Sequence, residues 1–93
     1  MSESPYKRRL RERKRRITTT LEAQGYKVRT FEDGPFHLFA CRGKTGRAIR
    51  ISFGEVHFDE INLCKREPVP ARCIRELWKI SDDGRIVTVA RIT

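Results

Sequence analysis

The apolar residues of the first quarter of the chain repeat at a helical spacing, and the repeat ends at a glycine. Four of them are separated by four, seven and four residues, which places them on one narrow stripe of a helix. They are Tyr6, Leu10, Ile17 and Leu21. Ser4 and Pro5 are typical of a helix start, and Gly25 is typical of a stop because glycine readily adopts a left-handed conformation. We therefore predict a helix over residues 5–24.

After this helix the apolar pattern becomes an alternation, which is typical of strands. Residues 43–46 and 81–84 are rich in glycine, aspartate and small polar residues, so each predicts the turn of a β-hairpin. The predicted strands cover residues 26–31, 36–42, 47–53, 73–80 and 85–92, and a second, short helix covers residues 58–66. The order α-β-β-β-α-β-β predicts an α+β fold with a mixed sheet, and 93 residues suffice for one domain.

Positive charge is concentrated at the N-terminal end of the chain. The net charge at pH 7 is +9, and residues 1–16 contribute +6 through eight basic and two acidic side chains. The eight are Lys7, Arg8, Arg9, Arg11, Arg13, Lys14, Arg15 and Arg16. Such a density is typical of a surface that binds a polyanion. We predict that this basic part of helix 1 projects from a compact body, residues 17–93, and contacts the phosphates of DNA or RNA largely without sequence preference.

Two other interpretations of the basic helix stay open, a solvated helix that aids solubility and a contact with a membrane surface. Like charges in one helix repel one another, and a polyanionic partner explains why that cost is tolerated. A membrane contact is disfavoured because the apolar stripe is narrow and has no Trp or Phe anchor. We also predict no membrane-spanning segment and no secretory signal, since no long apolar run follows the basic residues.

The cysteines indicate a reducing compartment. Cys41, Cys64 and Cys73 are an odd number without a C-x-x-C pair, which does not match an extracellular disulfide scaffold. We therefore expect a cytoplasmic protein and predict no metal and no cofactor. A zinc site that combines the cysteines with His37 or His57 has no supporting spacing, and small apolar side chains are the simpler interpretation of all three.

Three segments of the predicted sheet resemble the minimal core of the PD-(D/E)XK nucleases. Residues 25–28 read Gly-Tyr-Lys-Val, similar to the GY-V strand that follows helix 1 in this family. Residues 36–40 and 49–52 stand where the family has a metal-binding Asp and a Glu-x-Lys pair. The likeness is to archaeal Holliday junction resolvases and small VRR-NUC-type domains, and it covers most of residues 5–92. It implies a restriction-endonuclease-like core and, because related resolvases act as dimers, a homodimer.

All three catalytic positions of that family hold other residues here. His37 stands at the Asp position, Arg50 at the Glu position and Ser52 at the Lys position. Mg²⁺ requires oxygen ligands, and an arginine offers none while adding a positive charge that repels the ion. The resemblance therefore implies an inactive nuclease-like protein, in which these three side chains share a sheet face and bind phosphate. In the alternative interpretation, Arg50 pairs with a nearby acid and His37 is a satisfied histidine.

Two further hypotheses remain. Acidic residues outside the family positions would make an active metal-dependent nuclease if they converged in space; these are Glu22, Glu32, Asp33 and Glu55. The chain is otherwise a protein-interaction module, for example a phage or mobile-element regulator, whose basic helix meets an acidic protein surface. Solvated positions in turns and on helix faces are the ordinary interpretation of the four acids.

Overall fold

The computed structural model describes residues 4–81 and 83–93, which form two helices and five strands in the predicted order. The helices are α1 (Pro5–Ala23) and α2 (Phe58–Arg66), and the strands are β1 (Lys27–Thr30), β2 (Leu38–Arg42), β3 (Thr45–Phe53), β4 (Cys73–Ile80) and β5 (Ile86–Ile92). The predicted α+β class and element order are therefore confirmed. The element ends lie within two residues of the predicted ones.

The two ends of α1 follow from its capping residues. The Ser4 hydroxyl accepts a hydrogen bond from the backbone N–H of Lys7 at 3.2 Å, which satisfies one of the free donors of the first turn. At the other end Gly25 has φ +93°, a conformation that costs glycine nothing. This reversal lets the N–H of Tyr26 donate to the carbonyl of Leu21 at 3.0 Å and directs the chain into β1.

The five strands form one sheet in the order β1-β2-β3-β4-β5. Strands β1, β2 and β3 form an antiparallel meander. The chain then crosses through α2 to β4, which is parallel to β3, and β5 returns antiparallel to β4. The sheet is therefore mixed, with β1 and β5 as its two edge strands.

Helix α1 packs on one face of the sheet along its whole length. Ile17 and Leu21 are buried in a core with Leu38, Ala40, Ile49, Ile51, Trp78 and Ile80, and Leu10 packs against this core. Tyr6 meets the ring of Phe53 edge-on at 6.0 Å between centroids. The expectation that the basic half of the helix projects from the body is wrong, because the apolar stripe continues through that half and holds it against the sheet.

Helix α2 packs on the opposite face of the sheet. Its Cys64 is completely buried in a second core with Phe36, Ala48, Leu77 and Ile92. His57 caps the start of the helix, and its N–H donates to Glu60 Oε2 at 3.0 Å; the helix ends at Arg66, two residues before Pro68, which cannot continue a helix. Glu60 is thereby placed on the first turn of α2, against the sheet.

Candidate nucleic-acid interface

Six of the eight basic side chains in the first half of α1 are exposed. They are Lys7, Arg8, Arg9, Arg11, Arg15 and Arg16. Because the opposite side of the helix packs on the sheet, the exposed cations share the outer surface of α1 and its two flanks. We call these six residues the α1 cationic face. Arg16 forms an ion pair with Glu12 one turn earlier, at 3.4 Å, and the guanidinium of Arg9 lies 4.4 Å from the ring centroid of Phe53.

The other two cations of the basic run are held by the fold. Lys14 is buried, and its Nζ donates to the carbonyl of Phe31 at 3.1 Å and lies 4.0 Å from Glu32 Oε1. It occupies the gap in the apolar stripe between Leu10 and Ile17, where its methylene stem packs inward. The seven-residue gap in the stripe was the sequence signal for this burial. Lys14 is therefore not available as a phosphate contact.

Arg13 connects α1 to the turn between β4 and β5. It is half-buried, and its Nη1 donates to the carbonyl of Gly84 at 3.1 Å. Gly84 has φ +89°, and a side chain there would collide with the Arg13 guanidinium. Arg13 thus packs against the β4–β5 turn. It contributes to tertiary packing rather than to the α1 cationic face.

The groove beside α1 carries charges of both signs. It has a volume of about 410 Å³ and runs between α1 and the β1–β2 connection. Lys7 and Arg11 line it together with Glu32 and Asp33. The two carboxylates oppose the entry of a phosphate, so the outer surface of the helix, rather than this groove, is the better site for a polyanion.

Arg50 forms an ion pair inside the molecule. Its Nε donates to Glu60 Oε1 at 2.9 Å, and its Nη1 donates to the carbonyl of Pro35 at 2.8 Å. Both side chains of the pair are only 17% exposed. The arrangement matches the alternative interpretation, in which Arg50 pairs with a nearby acid. Its predicted role as a phosphate ligand stays a prediction.

Glu60 is the residue of this cluster that sequence reasoning missed. Burial raises the pKa of its carboxyl, but hydrogen bonds from the His57 N–H, from Arg50 and from Ser52 outweigh burial and hold that pKa below its usual value. Ser52 is itself buried. A sequence signal existed, because an acidic residue three positions after a helix start is typical of a capping box. Nothing local indicated that the same carboxylate would reach Arg50.

His37 is buried, and its ring forms a hydrogen bond with the backbone of β3. Its Nδ1 accepts a hydrogen bond from the N–H of Ile51 at 2.9 Å, so the ring is neutral and replaces a backbone acceptor. The pKa of His37 is lowered from 6.5 to about 4, mainly by burial and also by the positive charges of Arg50 and Lys14, while Glu60 acts in the opposite direction. The alternative interpretation, a satisfied histidine, describes this geometry.

A second ion pair joins β3 to β4 on the α1 face of the sheet. Arg47 Nε donates to Glu76 Oε1 at 2.7 Å, and the indole N–H of Trp78 donates to the same oxygen at 3.2 Å. Burial lowers the pKa of Arg47, but Glu76 more than offsets this effect, so that pKa lies above its usual value. The guanidinium carbon of Arg47 also lies 5.6 Å from the ring centroid of Tyr26 and 5.3 Å from that of Trp78. This cluster therefore links β3 and β4 to Tyr26, which follows α1.

The four acidic residues considered for a relocated metal site lie in three different segments of the chain. Glu22 is in the last turn of α1, Glu32 and Asp33 lie between β1 and β2, and Glu55 follows β3; all four are exposed. Within residues 4–81 and 83–93, no three His, Cys, Asp or Glu side chains are grouped closely enough to hold a metal ion. The hypothesis of an active nuclease with migrated carboxylates therefore gains no structural support.

The effect of the Arg50–Glu60 pair on stability is testable. We expect Glu60→Gln to lower the free energy of unfolding by about 2 kcal/mol, because it leaves a largely buried guanidinium without its counter-charge. Urea unfolding measures the loss. The double variant Glu60→Gln/Arg50→Gln should be less destabilised than the sum of the two single variants. Equal stability of Glu60→Gln and the wild type would contradict a stabilising role of the pair. A higher affinity of Glu60→Gln for DNA would support Arg50 as a phosphate ligand.

Neither helix in the described part of the chain is long and apolar enough to cross a membrane. No protein-family model, no curated protein and no solved structure matches this chain. The function is therefore inferred from the residues and their geometry.

Proposed function

We propose that this protein binds nucleic acid through the phosphate backbone, largely without sequence preference, and that the α1 cationic face makes the contact. The observation that carries the proposal is the exposure of six cations on a helix that is docked along its length. Because the backbone of a docked helix is already ordered, binding adds only the cost of ordering the side chains that make contact. The chemistry recognised is the polyphosphate chain, which DNA and RNA share.

The repulsion among the like charges of the α1 cationic face supports a binding role. Lys7, Arg11 and Arg15 are spaced four residues apart, and such like-charge neighbours destabilise a helix by a few tenths of a kcal/mol each. Among the described residues of the basic run, Glu12 is the only acidic side chain. A polyanion would neutralise this repulsion, whereas a solubility role does not require the charges to lie on one helix.

An inactive nuclease-like fold is part of the same proposal. The meander of β1 to β3, the crossover through α2 and the parallel pair β3–β4 support the resemblance in order and layout. Arg50, at the family's Glu position, pairs with Glu60. We propose no catalytic step. The free thiols of Cys41, Cys64 and Cys73 support the cytoplasmic location that we infer for the protein.

The salt dependence of binding tests this function. We expect the wild type to bind duplex DNA of unrelated sequences with similar affinity, and log K to fall with log salt at a slope near −4.5, as for about five neutralised phosphates. Single-stranded RNA of the same length should give a shallower slope, near −3.5 for about five phosphates. Fluorescence anisotropy across a range of about 0.05 to 0.3 M salt measures both. Absence of binding at the lowest salt would overturn the proposal.

A further inference from the structure

A shallow groove on the α2 side of the sheet, next to β5, is lined by three cations. They are Lys65 of α2, Lys79 of β4 and Arg91 of β5, and the groove has a volume of about 370 Å³. We call it the β5 groove. Among the described residues no acidic side chain lines it, and its cations form no ion pair with a described carboxylate, unlike Arg47 and Arg50. The fold leaves this positive charge without a counter-charge, so the groove attracts an anionic partner.

Much of the remaining surface of the β5 groove is apolar. Val56, Ile61, Leu77 and Ala90 line it, and it runs to Ile92. A phosphate chain would contact the cations and leave this carbon surface in water. A polypeptide with acidic side chains covers both kinds of surface, because its own carbon atoms pack on the apolar residues. The lining of the groove therefore favours an acidic polypeptide.

Strand β5 itself is an edge strand with exposed apolar side chains. Ile86 is 50% exposed, Val87 57% and Val89 44%, and in this seven-residue strand Ile92 alone is buried. The backbone N–H and C=O groups that point away from β4 form a row with which a further strand can pair. Backbone pairing at such an edge is a common way for a sheet to bind an extended peptide.

The opposite edge of the sheet is protected against pairing, and β5 is not. Strand β1 is only four residues long and carries Lys27 and Arg29, and short charged edges resist pairing. Strand β5 is seven residues long and carries a single charge, Arg91, near its end. A register shift against Ile80 affects its first residues and leaves residues 88–92 regularly paired to β4. This regular segment is therefore the part of the edge that is open to a partner.

We propose that β5 is the docking edge for an extended acidic segment of a partner protein, which adds to the sheet as a sixth strand. Its backbone pairs with the open row of β5, and its carboxylates lie near the cations of the β5 groove. The backbone pairing supplies affinity for any extended chain, and the cations select an acidic one. This interaction does not depend on nucleic-acid binding, because it uses neither α1 nor its cationic face.

The two faces of β5 differ, and the difference specifies the pattern of the docked segment. On the α1 face Val89 lies opposite Trp78 in the register and is exposed. On the α2 face Thr88 lies opposite Lys79, and Lys65 adjoins from α2. Neighbouring side chains of a strand alternate between the two faces of a sheet. A segment that alternates β-branched and acidic residues therefore places apolar groups beside Val89 and carboxylates beside the two lysines.

Two other occupants fit this edge less well. A second copy of the chain carries a net charge of +9 and the same three cations, so it repels the β5 groove. A nucleic acid matches the charge but has no backbone N–H and C=O groups at strand spacing, so the edge of β5 would stay unpaired. An acidic polypeptide matches both the charge and the edge.

Fluorescence anisotropy with a labelled synthetic peptide tests the docking edge. The probe alternates glutamate and valine over about nine residues and has blocked ends. We expect the full-length protein to bind it with a dissociation constant on the order of 10–100 μM near 0.1 M salt, because the interface is small. The same peptide with lysine in place of glutamate should bind at least about tenfold more weakly.

N-methylated versions of the glutamate peptide test the backbone pairing. Alternate N–H groups of a strand point to opposite edges, so the N–H groups of either the valines or the glutamates face β5. Methylation of that set should abolish binding, and methylation of the other set should preserve it. Equal effects of the two methylated peptides would overturn strand addition.

Charge reversal in the β5 groove tests the selection of an acidic segment. Lys65→Glu/Lys79→Glu should bind the glutamate peptide at least about tenfold more weakly and the lysine peptide more tightly than the wild type does. Lys27→Glu/Lys44→Glu is the matched control, since it changes the net charge equally at exposed positions away from β5, and its affinity should stay within about threefold. Val89→Glu, which places a carboxylate at the edge itself, replaces the groove variant if that variant does not fold.

Two cross-checks separate the docking edge from the proposed function. The variant with Arg8, Arg11 and Arg15 replaced by Gln should bind the glutamate peptide as the wild type does, and Lys65→Glu/Lys79→Glu should keep the wild-type salt slope with duplex DNA. Loss of peptide binding in the α1 variant would assign the peptide to the α1 cationic face and overturn the docking edge. A flatter DNA slope in the groove variant would make the groove a phosphate site and overturn it as well.

The remaining outcomes are equally decisive. A wild type that does not bind the glutamate peptide, or that binds the lysine peptide equally well, would overturn the proposal. So would self-association of the wild type that Val89→Glu abolishes, because a second copy would then occupy the edge. Failure of nucleic-acid binding would leave peptide binding intact, and failure of peptide binding would leave the DNA salt slope intact.

Discussion

Replacing Arg8, Arg11 and Arg15 by Gln is expected to weaken binding to duplex DNA about 100-fold near 0.15 M salt and to flatten the salt slope from about −4.5 to about −2. Each arginine that leaves a phosphate contact removes one released counterion, worth about 0.9 in the slope. Glutamine is a good helix former, so α1 should persist in this variant. A salt titration by fluorescence anisotropy, with circular dichroism to verify the helix, gives both quantities.

Two controls separate the position of a charge from its mere presence. Lys44, Lys65 and Arg66 are exposed cations away from α1, and replacing all three by Gln changes the net charge by the same amount. This variant should keep a slope near that of the wild type. Lys14→Met removes a cation of α1 itself, and it should also keep the slope because the ammonium group is buried against Phe31. Equal slopes for the α1 variant and the wild type would exclude the α1 cationic face as the interface.

Acidification from about pH 7 to about pH 5 is expected to lower the free energy of unfolding by about 2 kcal/mol through His37 alone. The pKa of His37 is about 4 in the folded protein and 6.5 as the reference for the unfolded chain. The unfolded state therefore binds more protons between these values, so stability is full above pH 6.5 and falls as the pH drops toward 4. Protonation at Nδ1 would also break the hydrogen bond from the Ile51 N–H. Urea unfolding at several pH values measures the slope.

His37→Asn isolates this effect. The asparagine oxygen lies near the place of Nδ1 and accepts a hydrogen bond, but it does not titrate, so the stability of the variant should be nearly constant across this range. His57→Asn is the matched control because His57 is exposed, and it should keep the wild-type dependence. The titration of Glu60 does not affect the comparison between pH 7 and pH 5. The stability that Glu60 contributes is lost only as the pH falls below its reference pKa of 4.5. The same pH dependence in His37→Asn and in the wild type would refute the role of His37.

Local chemistry determined where the helices and strands begin and end. Ser4, Pro5 and Gly25 bound α1, and the change from helical spacing to alternation marks the start of the sheet. The hairpin around Gly43 and the stop before Pro68 also follow from residues a few positions apart. These signals depend on backbone conformation and on neighbours within one turn, so the sequence alone is enough to predict the element ends.

The sequence by itself also determined the inward-facing stripe of α1 and the concentration of cations beside it, since both follow from helical spacing. Only the tertiary structure decided which cations remain exposed. Lys14 turned inward because the carbonyl of Phe31 accepts from it, and Arg50 was neutralised by Glu60 on the first turn of α2. The openness of β5 was likewise decided by which strand lies outermost in the sheet. Spacing along the sequence shows which side of α1 faces inward, Lys14 included, but burial and ion pairing also depend on groups that folding brings together from distant parts of the chain, and spacing does not show which groups those are.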